Sequence, residues 1–152
     1  MYKSTTSTAN WRRGSLSIFC SVLFAAGAHS AHAAKHYVND NATSGDVYTT
    51  ATGNDANSGN SNSPFLTIQA AINAASAGDT IMVDAGTYNE NVNINKALTL
   101  LGAGAGATVV DGSSAGSGLG TFHLPSGSSN IQIGAAGQGF HILGLDGPAG
   151  IE

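Results

Sequence analysis

Apolar residues between positions 64 and 102 change their period once. Leu66, Ile68, Ala71, Ile72 and Ala75 recur at helical spacing, whereas Ile81 and Val83, Val92 and Ile94, and Leu98 and Leu100 alternate at period two. Gly78 and Asp79 mark the switch. The pattern predicts one short amphipathic helix followed by a series of short strands. Pro64 stands early in the helical segment, Thr67 is placed to cap its N-terminus, and Gly78 supplies a residue free to take positive φ at its end. The apolar stripe is narrow and built of small side chains, so the helix is expected to lie close against something flat and apolar.

Beyond Gly102 the two-residue period continues in Val109-Val110 and in the triplets Phe122-His123-Leu124, Ile131-Gln132-Ile133 and Phe140-His141-Ile142. Alternation aims Phe122, Leu124, Ile131, Ile133, Phe140 and Ile142 inward and His123, Gln132 and His141 outward. The intervals between these triplets are too irregular to set a number of residues per turn. Upstream, residues 35–62 are rich in Asn, Asp, Ser, Thr and Gly; Tyr37-Val38 is predicted as a first short strand and the rest as a long polar loop leading to the helix. Short strands at short spacing imply stacked coils and not a sandwich of long strands. Each coil buries its face on its neighbours, so about three or more are needed before such a stack is stable.

Pro64-Phe65, Thr67-Ile68-Gln69, Ala70-Ala71-Ile72, Gly78-Asp79-Thr80-Ile81, Val83, Gly86-Thr87-Tyr88 with Glu90, Asn95-Lys96, Leu98-Thr99-Leu100 and Gly102 follow one another in that order. Together they resemble the start of a right-handed parallel β-helix of the pectin-lyase-like superfamily. The resemblance implies an all-β solenoid with a short N-terminal capping α-helix that closes the open end of the coil stack. Gly86-x-Tyr88-x-Glu90 is also similar to a segment of pectinesterases, in which the Tyr and Glu read as structural. The expected organisation is an export signal over residues 1–33, a strand and polar loop over 34–63, a capping helix over 64–79 and the first coils over 80–152. The sequence stops at Gly150-Ile151-Glu152 on what reads as another strand, with no closing helix or polar terminal coil, and is therefore expected to be the truncated N-terminal part of a longer protein.

Composition narrows the setting. Lys3, Arg12 and Arg13 flank an apolar run over residues 16–28, and Ala31-His32-Ala33 forms a small-x-small cleavage site, the pattern of a secretory signal. The run is shorter than the roughly 20 residues a bilayer span needs, so no stable membrane anchor is expected. Trp11 and Ser15 depart from a twin-arginine pattern, and Phe19 before Cys20 departs from a lipidation site. Cleavage after Ala33 removes Cys20, the only cysteine, and with it any disulfide. It also removes every arginine, leaving Lys35 and Lys96 against 9 carboxylates. An acidic surface of this kind disfavours nucleic acid, which is held by clustered Lys and Arg.

Candidate chemistry is sparse. Asp79 and Asp84 flank the strand around Ile81 and have the residue type for an acid and base pair, but Asp79 also suits the end of a helix and Asp84 the start of a turn. His123 and His141 occupy equivalent places in their triplets and would stack on one outer face if their strands were neighbours. Asp55-Ala56-Asn57-Ser58-Gly59 opens like a calcium loop, yet Leu66 stands at the twelfth position where a bidentate Glu is needed. Asp111-Gly112 and Asp146-Gly147 read as turns. No catalytic, cofactor or metal-binding residue is assigned, and no cofactor is expected. Enzymes of the resembled superfamily carry arginines and aspartate clusters on central coils, and none of those motifs matches here. A guanidinium is the natural bidentate clamp for a uronate, so its absence bears directly on pectin chemistry. The chain is expected to be the N-terminal part of a secreted or cell-surface, carbohydrate-associated scaffold without catalysis of its own, with an extracellular polysaccharide as partner. The alternative is the N-terminal part of a pectinesterase or polysaccharide lyase whose active site lies beyond residue 152.

Overall fold

Ile81 and Val83 point to the same side of β2 (Thr80–Val83), and Leu100 repeats their apolar position in β5 (Thr99–Gly102). These two strands lie side by side in parallel, Ile81 against Leu100 and Val83 against Gly102. The computed structural model describes residues 33–113 and 120–144. Among them β1 (Lys35–Val38) and β8 (Gln132–Ile133) complete a sheet of order β1-β2-β5-β8. A second sheet has the order β3-β6-β9, from Gly86–Tyr88, Thr108–Asp111 and His141–Leu143, and a third pairs β4 (Val92–Asn93) with β7 (Phe122–His123). All the ladders between these strands are parallel. The chain is mostly β, and the described residues contain one helix.

Parallel register stacks like on like. Ile81, Leu100 and Ile133 form one inward column, and Tyr88, Val110 and Ile142 another. Val38, Ile81, Val83, Val92, Ile94, Leu98, Leu100 and Val110 are all at 0–1% exposure and form one core with the helix. Burial on this scale, at about 25 cal/mol per Å² of apolar surface, is the main force holding strands too short to persist alone.

The helix, α1 (Ile68–Ala74), buries Ile68, Ala71 and Ile72. Thr67 caps it as expected: its backbone is extended (φ −114°, ψ 146°) and its Oγ1 accepts from the Ala70 N–H at 3.1 Å. Two details differ from the sequence expectation. Leu66 precedes the helix, and the helix ends at Ala75, which is extended, three residues before Gly78. Gly78 does take a positive φ of 93°, but in the turn that leads to Asp79 and not as the helix cap. The reason lies downstream, where the Asp79 carboxylate takes the Ser76 N–H at 2.8 Å and pulls the chain out of the helix early.

The predicted inward set needs a second correction. Phe122, Ile131, Ile133 and Phe140 pack against the core, but Leu124 is 46% exposed and Ile142 is 49% exposed. Leu124 lies just past β7, and Ile142 sits in β9, the outermost strand of its sheet, with one flank uncovered among the described residues. Phe122 and Phe140 compensate locally with an edge-to-face contact, ring centroids 6.0 Å apart. The short strand β3 was not anticipated, because Gly86-Thr87-Tyr88 holds one apolar residue and shows no period. The export segment expected over residues 1–33, apart from Ala33, lies outside the described residues, as do Cys20, Asp146-Gly147 and the final strand pattern at 150–152.

Candidate functional site

Seven residues make a helix too short to be stable in water unaided, and what holds α1 in place is built from the segment that resembles pectinesterases. Glu90 reaches the helix N-terminus, where Oε1 accepts from the Ile68 N–H at 2.8 Å and Oε2 from the Gln69 N–H at 3.0 Å. Lys96 reaches the other end, and its Nζ donates to the carbonyls of Ile72 and Ala75 at 3.0 and 2.9 Å. A carboxylate at the N-terminus and an ammonium at the C-terminus both match the helix dipole. Gln69 returns the contact: its Oε1 accepts from the Asn93 N–H at 2.8 Å and its Nε2 donates to the Asn93 carbonyl at 3.4 Å. One side-chain amide thus closes the free edge of β4 as a neighbouring strand would.

The remaining residues of the segment serve the same junction. Tyr88 is 4% exposed, and its hydroxyl donates to the Asp84 carbonyl at 3.2 Å. Gly86 has φ 149°, and a Cβ there would collide with the Asp40 carboxylate. Glycine, tyrosine and glutamate in this spacing are each accounted for by packing.

A pocket of about 160 Å³ opens beside this junction. Three stretches of chain line it: Asp40 with Asn41, Leu66 with Thr67, and residues 87–90 along β3, the outermost strand of its sheet. Leu66 and Tyr88 form its apolar part, and Asp40 and Glu90 put two carboxylates in its wall. The exposed side chains of Asn41, Thr87 and Asn89 complete the rim and make no hydrogen bond to other described residues. Glu90 is held above the ordinary carboxylate range by burial and by Asp55, against the lowering pull of the Ile68 and Gln69 N–H groups. A raised carboxyl in a pocket is the profile of a general acid. Here both oxygens are already engaged by the helix, so proton transfer would cost the helix its cap.

Behind the pocket, loop 39–53 is laced to the sheets by buried polar groups. Asn39, fully buried, donates through Nδ2 to the Ala42 carbonyl, the Asp46 carboxylate and the Ala51 carbonyl at 3.0, 2.7 and 2.8 Å. Asp84, also fully buried, accepts the N–H groups of Val47, Tyr48 and Thr49 at 2.7–2.8 Å and the Thr49 hydroxyl at 2.9 Å. Tyr48 extends the lacing by donating to the Gly102 carbonyl at 2.9 Å. Burial alone would raise Asp84, but the Val47, Tyr48 and Ala85 N–H groups and Thr49 outweigh it and hold its carboxyl below the usual range. Asp46 behaves oppositely: burial and the nearby Asp84 and Asp40 charges raise it despite the Asn39 bond, and its Oδ1 is buried without a hydrogen-bond partner among the described residues.

The residues singled out from sequence therefore have definite places. Asp79 accepts from Ala34 N–H, Ser76 N–H and His36 Nε2 at 2.8, 2.8 and 3.2 Å, tying β1 to the turn after the helix; burial raises its carboxyl, and these three donors lower it further than burial raises it. Asp79 and Asp84 are thus occupied anchors at opposite ends of β2. His123 lies in β7 and His141 in β9, strands of two different sheets, so the structure does not bring them together. Asp55 uses its carboxylate on the Leu66 and Thr67 N–H groups and the Thr67 hydroxyl at 2.8–3.0 Å, an Asx-type anchor in place of a calcium loop. Asp111 ends β6 and accepts from the Ser113 N–H at 2.9 Å, opening the turn read there. Sequence reasoning missed Asn39, Asp46, His36, Gln69 and Lys96. Only the opposite charges of Glu90 and Lys96 around a short helix could have hinted at the clamp.

Among the described residues no group of three or more His, Cys, Asp or Glu is arranged to hold a metal ion. No described helix is long and apolar enough to cross a membrane. Compared with known proteins, residues 51–139 match the family model described as "Protein of unknown function (DUF1565)". No curated protein and no solved structure matches the chain.

Proposed function

The chain belongs to the DUF1565 family, and on that premise we propose that it forms the first coils of a right-handed parallel β-helix, a secreted, carbohydrate-associated scaffold without catalysis of its own. One observation carries the solenoid. Successive strands visit the three sheets in a fixed order: β2, β3 and β4, then β5, β6 and β7, then β8 and β9. Each pass of the chain adds one rung to each sheet, as a coil does. The helix with its clamp, and the segment at Phe65 bridged in parallel to Val38 on the outer edge of β1, close the first rung.

The scaffold reading is supported by what the acidic side chains are used for. Asp55, Asp79, Asp84 and Glu90 each spend their oxygens on backbone N–H groups of the fold. Carboxylates committed in this way are not free to shuttle protons. The purified chain is expected to be retained on an insoluble polysaccharide and to release no product from polygalacturonate or methylated pectin, with or without calcium. Turnover that disappears on replacing Asp79, Asp84 or His141 would overturn this and favour the enzyme alternative. Export with cleavage after Ala33 predicts a secreted product whose N-terminal sequence starts at Ala34.

A further inference from the structure

We infer that the pocket between Asp40, Leu66 and Glu90 is a subsite for a single uncharged sugar ring of a polysaccharide. This rests on the carbohydrate-associated reading above and narrows it to a ligand class and a place. The volume of about 160 Å³ is small beside the roughly 300–1,000 Å³ of pockets that hold drug-sized ligands, which suits one ring and not several. Thr87 and Tyr88 of β3, the outermost strand of its sheet, line the site.

The lining matches a sugar's two kinds of surface. Leu66, half-buried, offers an apolar floor to the C–H face of a ring, with the buried Tyr88 behind it. Asn41, Thr87 and Asn89 both donate and accept, and are exposed and unengaged within the described chain, so binding a hydroxyl breaks no internal bond. Asp40 and Glu90 act as acceptors. Each Glu90 oxygen takes one N–H from the helix, leaving a lone pair for a hydroxyl proton. Asp40 takes the Ala42 N–H on Oδ1, and its Oδ2 packs against the Gly86 backbone.

Charge then decides which sugars fit. Neither Lys nor Arg lines the pocket, while two carboxylates do. A uronate would be placed beside like charges without a cation, a juxtaposition that costs several kcal/mol. Acidic plant polysaccharides such as polygalacturonate are therefore the ligands this pocket rejects.

The test is binding of cellohexaose, mannohexaose, oligogalacturonate and chitosan hexamer to the purified secreted chain, followed by backbone amide NMR shifts and by calorimetry. Expected results are shifts at residues 41, 87 and 89 with a neutral hexamer, affinity for oligogalacturonate at least tenfold lower, and loss of neutral binding by at least tenfold in the Asn41→Ala/Asn89→Ala double variant. Both substitutions are at exposed positions, and an unchanged amide spectrum elsewhere confirms that the variant folds. Asp40→Asn should narrow the gap between neutral and uronate ligands. Neutral binding untouched by the double variant would overturn the pocket while leaving carbohydrate association standing. Tightest binding of oligogalacturonate would overturn the charge argument, tightest binding of chitosan hexamer would overturn the uncharged ligand class in favour of a cationic one, and binding of none of the four would overturn both readings.

Discussion

The two ends of the strand stack are built from the same kinds of residue and are treated very differently. At the helix end two of the three sheet edges are occupied: Phe65 bridges Val38, Gln69 completes β4, and α1 covers the aliphatic faces beneath it. At the other end β7, β8 and β9 are the outermost strands among the described residues, and Leu124, Ile142 and Leu143 are 39–49% exposed. Ile142 holds the same column as Val110, which is fully buried. An inward-facing position in a stack is thus only half of what burial requires; the other half is a neighbour on each side. Edges with exposed backbone and apolar side chains invite further pairing, whereas at the helix end β1 and β4 are covered and only β3 keeps an outer edge.

The largest test of this difference is a pair of truncations. Leu100→Ala, flanked by Ile81 and Ile133, should cost roughly 2–5 kcal/mol in chemical denaturation, whereas Ile142→Ala should cost about 1 kcal/mol or less. Equal costs would mean that the outer rung is covered as fully as the inner ones.

Next come the anchors of the helix end. Asp84→Ala should cost roughly 2–4 kcal/mol, because several buried N–H groups lose a charged acceptor and water recovers only part of the loss. The same group sets an acid limit. Asp79 and Asp84 are depressed below their ordinary value of 3.8, so the stability they contribute is fully present above that value and is lost as pH falls through their lower folded pKa. Protection against amide hydrogen exchange, relative to the intrinsic rate at each pH, should therefore fall between pH 6 and pH 3 more at residues 34–50 and 76–85 than in β8 and β9. A uniform loss of protection would show that the acid limit belongs to the whole stack.

The clamp ranks third. Glu90→Ala should cost roughly 1–3 kcal/mol by leaving the Ile68 and Gln69 N–H groups unpaired, and Lys96→Met about 1 kcal/mol. Circular dichroism at 222 nm and exchange at residues 68–75 report the helix directly. If the helix persists unchanged in both variants, packing of Ile68 and Ile72 alone retains it.

The smallest effect should be a gain. Asp46 is raised, so the folded state binds its proton more tightly than the unfolded chain, and stability from this group rises as pH falls through its folded pKa toward 3.8. Asp46→Asn should raise stability at pH 7 by roughly 0.5–1 kcal/mol and abolish that rise. A loss of stability would mean that the charge contributes to holding loop 39–53.

Much of this protein is written locally. The period switch at Gly78-Asp79, the Thr67 cap, the strand at Tyr37-Val38 and the parity of residues 81–83 and 98–100 are properties of neighbours one to four residues apart, and the chain states them directly. The candidate site was half legible. Gly86, Tyr88 and Glu90 stood out as a set, but what they hold was hidden, because the groups Glu90 caps are 22 and 21 residues away and carry no sequence mark beyond the helix itself. The interval between paired strands was not readable, since Thr80 pairs with Thr99 but Thr99 with Gln132, and the intervening loops absorb the difference without disturbing the register. The tertiary structure alone decided which inward residues are buried, that His123 and His141 lie apart, and that Asp79 and Asp84 are anchors. Each depends on the strand that lies alongside, and alternation along one strand says nothing about which strand that is.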